Sequence, residues 1–197
     1  MTKPLSILVL SGSPRKVSYT RSLTRVIVGA LKDRGQAVTA IELQETVLPP
    51  MDPELRHRGV EHPDAGVAGL FRAAAAADAF VLATPLYHNS FSGVLKNAID
   101  YLGDEVFEKK AVGLASHGGN GSKQAVDQLR VITQHLRAIP MPIQVCTGPK
   151  HFAEDPDAQG LYTLIDADMQ GTIGRFCDEL VSFGQALRAY RTATLVA

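Results

Sequence analysis

The stretch SILVLSGSPRKVSYTR, Ser6–Arg21, decides how this chain folds. It begins inside LSILVL, Leu5–Leu10, whose consecutive Ile, Leu, Val and Leu leave no polar face. A strand of that kind is covered on both sides, as strands inside a parallel sheet are. The run stops abruptly at Ser11-Gly12-Ser13-Pro14-Arg15, and beyond it Leu23, Ile27, Ala30 and Leu31 share one face of a helix that Gly35 ends. Strand, turn of small hydroxylic residues and helix form the unit from which parallel sheets are wound.

The same alternation continues outward along the chain. AVTAIEL, Ala37–Leu43, reads as a second strand, followed by an irregular region over 44–63 and an alanine-rich helix, AGVAGLFRAAAAADA. Then come the strand AFVLAT (Ala79–Thr84), a helix over 92–102, the strand KAVGLAS (Lys110–Ser116), a helix over 122–138 and a strand over 142–147. Met169, Ile173, Phe176, Leu180, Phe183 and Leu187 make the apolar face of a long terminal helix. Near-continuous apolar strands separated by helices argue for an α/β fold with a parallel sheet covered on both faces. Five strands fit a flavodoxin-like three-layer sandwich of order 2-1-3-4-5, whose ligand crevice lies beyond the strand C-termini. The expectation is one domain over 1–197.

Composition narrows the function. Of 197 residues 45% are hydrophobic, and 20 Lys plus Arg balance 20 Asp plus Glu, so no overall basic footprint for nucleic acid exists. Cys146 and Cys177 form no spaced ligand or redox motif. The first apolar stretch is too short for a secretory leader, and no run reaches the roughly eighteen apolar residues of a membrane span. A cytoplasmic location, with no membrane and no nucleic-acid partner, is the expectation.

Three unusual segments follow strands one, three and four, and a parallel sheet brings them to one edge. In SGSPRKVS, Ser11, Gly12 and Ser13 let backbone amides turn toward a phosphate, and Arg15 offers bidentate donors. Ser18 and Thr20 stand at a helix start, where free N–H groups favour an anion. The bland alternative makes Ser18 a cap, Pro14 punctuation and Arg15 a solvated charge. In ATPLYHNSFSGVLKNAID, Ala83–Asp100, a rigid turn carries Tyr87, an aromatic surface suited to a planar redox cofactor or simply an exposed loop ring. In SHGGNGS, Ser116–Ser122, consecutive glycines admit a planar ligand to the backbone, or make a plain turn.

Competing motifs fit poorly. There is no G-x-G-x-x-G after the first strand and no G-x-x-x-x-G-K-[ST]. No G-x-S-x-G elbow or nucleophile–base pattern is present, so no residue is assigned a catalytic role from motif. His57 and His62 are five apart, not the four of H-E-x-x-H, so no metal site is expected.

On SGSPRKVSYTRSL, ATPLYHNSFSGVLKNAID and the SHGG loop, the chain resembles the NADPH-dependent FMN reductase family, and within it the flavin reductases that serve alkanesulfonate monooxygenases. The resemblance implies that Ser11, Gly12, Ser13, Pro14, Arg15, Ser18, Tyr19 and Thr20 surround the FMN phosphate, Thr20 standing where many relatives carry asparagine. It implies that Pro85, Leu86, Tyr87, His88 and Asn89 border the flavin ring, His88 replacing an asparagine of some relatives. Pro85, Tyr87, Ser90, Gly93, Leu95 and Lys96 match the family's P-x-Y-x-x-S-x-x-G-x-L-K pattern. Ser116, His117, Gly118 and Gly119 align beside the isoalloxazine. The activity implied is hydride transfer from NADPH or NADH to FMN, with reduced flavin supplied to a partner flavin-dependent monooxygenase. The alternatives are a tightly FMN-bound reductase of quinones, azo compounds, nitroaromatics or metal oxyanions, and a nonenzymatic electron carrier. A homodimer or homotetramer is implied as well.

Overall fold

The computed structural model describes residues 3–119, 123–155 and 162–194, and of His57 only the backbone. Residues 120–122, the tail of the glycine segment, lie outside them. The elements run β1 (Ser6–Ser11), α1 (Tyr19–Asp33), β2 (Ala37–Glu42), α2 (Ala65–Ala76), β3 (Ala79–Pro85), α3 (Gly93–Tyr101), α4 (Asp104–Phe107), β4 (Ala111–His117), α5 (Lys123–His135), β5 (Ile139–Thr147), β6 (Phe152–Glu154), β7 (Tyr162–Leu164) and α6 (Ala167–Thr194). A short 3₁₀ segment, Arg56–Glu61, lies in the irregular region before α2. The main sheet is parallel, five-stranded and ordered β2-β1-β3-β4-β5. This is the flavodoxin-like α/β order expected from the strand pattern.

Alternation along each strand divides the core in two. Leu8, Leu10, Phe80 and Leu82 face the side covered by α2, α3, α4 and α5. Ile7, Val9, Val81 and Ala83 face the side covered by α1 and α6. Every residue of β3 and β4 is buried, which is why these strands read as unbroken apolar runs.

Sequence periodicity and structure differ at five places. β5 starts at Ile139, not 142, and runs through Pro140 and Pro142. Among the described residues it is an edge strand paired with β4 alone, where a missing N–H costs no ladder bond on the open side. α5 stops at His135 because Arg137 takes φ 57°, ending the helix before the expected 138. The β6–β7 hairpin and the single-turn α4 carry too few residues to show a period. On α6, Phe183 is 42% exposed, and Gly184 packs in its place. A Cβ on Gly184 would lie 2.6 Å from the Leu5 side chain, so the glycine is what lets helix and sheet approach.

Candidate active site

The β1–α1 turn begins with a fixed point. Gly12 N–H donates to the Ala83 carbonyl of β3 at 2.7 Å, and its carbonyl accepts the Ser92 hydroxyl. Ser92 also caps α3, accepting from Leu95 N–H at 3.2 Å, while its own N–H donates to Thr84 Oγ1 at 2.9 Å. One buried serine therefore ties the first and second candidate segments together.

Beyond Gly12 the chain opens into a cradle. Ser18 is the N-cap of α1; its hydroxyl donates to Ser13 Oγ at 2.8 Å and accepts from Arg21 N–H at 3.4 Å. Ser13 Oγ also accepts from Arg15 N–H at 3.3 Å, so the proton left on Ser13 is free for an external acceptor. Tyr19 and Thr20 occupy the first helical turn, where backbone N–H groups lack intrahelical acceptors. Residues 11–20 contain no carboxylate, and Arg15 is exposed with no ion pair among the described residues. This set of hydroxyls, amides and a guanidinium suits a phosphate monoester.

Arg21 braces the cradle from behind. Its guanidinium is buried against Glu42 at 3.2 Å, donates to the Lys16 carbonyl at 3.0 Å and pairs with Glu45. Burial raises the Glu42 carboxyl above its usual range, and the neighbouring Arg21 opposes that rise.

The second segment leaves β3 with Leu86 N–H bonded to the His117 carbonyl at 2.7 Å, then reverses at once. Tyr87 and Ser90 exchange both backbone hydrogen bonds, at 2.8 and 2.9 Å, around His88 and Asn89. These two residues have φ of 48° and 62°, the left-handed pair of a type I′ turn. Tyr87 is exposed.

The third segment continues β4. Gly118 N–H donates to the Thr147 carbonyl at 3.0 Å, and a Cβ on Gly119 would meet nothing within 4 Å. Open space beside this backbone is what a planar ring needs. The His117 imidazole turns to the protein: it stacks on Tyr19, with centroids 4.4 Å apart, and Tyr19 stacks in turn on Tyr162 at 3.7 Å. Its Nδ1 lies 3.1 Å from Thr147 Oγ1, which donates to the Ser116 carbonyl at 3.2 Å. With the threonine proton so placed, Nδ1 carries the imidazole proton and donates it.

Burial first, and His151 second, push the His117 pKa from 6.5 down to about 4. The sign follows from linkage: the unfolded chain takes up this proton near 6.5, the folded one only near 4. Stability from this group is therefore present above pH 6.5 and is lost as pH falls toward 4. Denaturant unfolding across that window will show a shallower decline for His117→Gln than for the unsubstituted protein.

Three loops from three strands, one lined by hydroxyls, amides and a guanidinium, one carrying the exposed Tyr87 and one with open space at Gly119, thus meet at the C-terminal edge of the sheet. Residues 5–151 match the family model described as NADPH-dependent FMN reductase. The chain belongs to this family. The FMN-dependent NADPH-azoreductase of Staphylococcus aureus is 34% identical over 177 residues, covering 89% of this chain and 93% of that protein. Among solved structures, the flavoenzyme NAD(P)H:(acceptor) oxidoreductase FerB of Paracoccus denitrificans superposes with a TM-score of 0.70 at 23% identity, covering 92% of this chain and 98% of that one. The apo form of an NADH:FMN oxidoreductase superposes with a TM-score of 0.65 at 23% identity, covering 92% and 89%. These two likenesses bear on the fold.

The residues fit FMN. The cradle over 11–20 provides the donors a flavin phosphate requires, and the Ser13 proton is uncommitted. Ser92, Arg21, Thr147 and Gln128, which support these loops, were not among the sequence-expected site residues. Ser92 alone had a local signal, a serine directly before an apolar helical run. Among the described residues no group of three or more His, Cys, Asp or Glu is arranged to hold a metal, and no helix is long and apolar enough to cross a membrane.

Proposed function

We propose that this protein holds FMN across the three loops, reduces it with NADPH and passes the electrons to a small organic acceptor. The observation that carries this reading is the β1–α1 cradle: Ser13 with both acceptor positions filled, Ser18 as the cap of α1 and the amides at the start of that helix, all free of carboxylate. FMN bound there supplies the redox chemistry, accepting a hydride from NADPH and releasing electrons to an acceptor. The chain's own part is to bind, orient and shield. Ser13, Arg15, Ser18, Tyr19 and Thr20 hold the phosphate; Pro85–Asn89 and Ser116–Gly119 present main-chain groups to the ring. His117, kept neutral by burial, braces that edge through Tyr19 and Thr147 without adding charge.

An azo compound is the acceptor class favoured by the Staphylococcus aureus relative, whose name specifies it. Release of reduced FMN to a flavin-dependent monooxygenase is the second reading, supported by the resemblance of the SGSPR and PLYHNS motifs. We propose further that the chain works as one domain, as a cytoplasmic homodimer or homotetramer, with NADPH preferred to NADH. Anaerobic NADPH oxidation separates the two acceptors: turnover with an azo dye at one bound FMN per chain supports the first, and rapid reduction of excess FMN the second. No NADPH oxidation with either rejects the proposal.

Arg15→Ala tests the phosphate contact. A charge-assisted hydrogen bond is worth about 1.5–3 kcal/mol, so FMN affinity falls roughly 10- to 100-fold. Riboflavin, which lacks the phosphate, binds the variant as it binds the unsubstituted protein. Isothermal titration with both flavins measures the difference.

A further inference from the structure

Tyr87, His88 and Asn89 of the Tyr87–Ser90 turn are exposed, and both central residues hold a left-handed conformation that asparagine tolerates and histidine adopts at a cost. Such a turn persists where its surroundings hold it. Here one side chain does so from another element. Gln128, on α5, donates through Nε2 to the Asn89 carbonyl at 2.9 Å and accepts the Ser90 hydroxyl through Oε1 at 2.6 Å. Both ends of one amide are used on consecutive residues of the turn. The main-chain N–H groups of His88 and Asn89 take no part in the turn's own hydrogen bonds, and they lie on a segment closed at one end by the Tyr87–Ser90 pair and held at the other by Gln128 on the Asn89 carbonyl and the Ser90 hydroxyl. α5 is the helix that follows the glycine segment, so Gln128 joins the second loop to the element that carries the chain away from the third.

We propose that Gln128 is a positioning residue for the flavin ring, setting the Tyr87–Ser90 turn against the glycine loop. This rests on the FMN reading of the site. The head group must donate and accept at once, which glutamine does and glutamate does not.

The test uses apoprotein of the unsubstituted chain, Q128A, Q128E and R15A, titrated with riboflavin and with FMN by flavin fluorescence. Loss of two solvent-exposed hydrogen bonds in Q128A weakens both flavins by the same factor, about five- to tenfold. Q128E, which keeps the Ser90 contact, falls between, while R15A loses FMN affinity alone. In Q128A apoprotein, exchange of the Tyr87 and Ser90 amides quickens severalfold, with the melting temperature unchanged. Unsubstituted affinity for riboflavin in Q128A, or unchanged amide exchange, overturns the positioning role. Failure of the unsubstituted chain to bind either flavin instead overturns the FMN reading, and the exchange result then stands as a property of the turn alone.

Discussion

Gly12→Ala will cost the protein about 2–4 kcal/mol and its flavin site together. A Cβ at this position lies 2.8 Å from Leu95 Cβ and 2.9 Å from the Ala83 carbonyl oxygen. Neither neighbour is the end of a flexible side chain, so the backbone must move. Overpacking of this kind costs about 1–3 kcal/mol. Movement also breaks the Gly12 N–H bond to Ala83 and the Ser92 hydroxyl bond to Gly12. In a chain of this length the melting temperature drops by roughly 5–15 °C. FMN affinity falls by at least about 100-fold, because every proposed phosphate donor lies on the segment that Gly12 anchors. Thermal melting of the apoprotein with FMN titration at low temperature separates the two effects. An alanine variant with unchanged melting and affinity would show that the turn has room this packing denies.

Ser92→Ala will be nearly as severe, for a different reason. Alanine fills no forbidden space, but it removes the N-cap of α3, worth about 0.5–2 kcal/mol. It also leaves the Gly12 carbonyl buried without its partner, a cost of about 1–3 kcal/mol. The expected loss is about 2–4 kcal/mol in denaturant unfolding. Ser92→Thr keeps the hydroxyl and recovers most of it. If alanine and threonine behave alike, the loss comes from packing and the bridge between the two loops contributes nothing.

The fold was legible because its strands are buried on both faces. Ile7–Leu10 and Ala79–Ala83 carry no polar residue to interrupt them, and the helix faces of α1 are regular enough to see. The strand over 142–147 was legible, but the start of β5 at Ile139 was not, because two prolines near its beginning argue against a strand unless it is known to lie at an edge. Phe183 misled because a helical period says which side is apolar, while the close contact at Gly184 decides which residue fills it.

The loops that make the site were legible for a related reason. Small hydroxylic and glycine residues directly after apolar strands have few structural uses. Their supports were not. Gln128 reaches the turn from 38 residues away, and Arg21 joins Glu42 and the Lys16 carbonyl through contacts that only the tertiary fold creates. His117 stood in the expected segment, but its stacking on Tyr19 depends on the facing of β4 and α1, which no local pattern encodes.

The central claim is that the β1–α1 cradle binds FMN for reduction by NADPH. Anaerobic mixing of NADPH with apoprotein reconstituted with stoichiometric FMN tests it most directly, followed by loss of the flavin absorbance band. The account predicts saturable binding of one FMN per chain and bleaching of that band far faster than with free FMN. Bleaching no faster than free FMN, or no saturable binding, would contradict it.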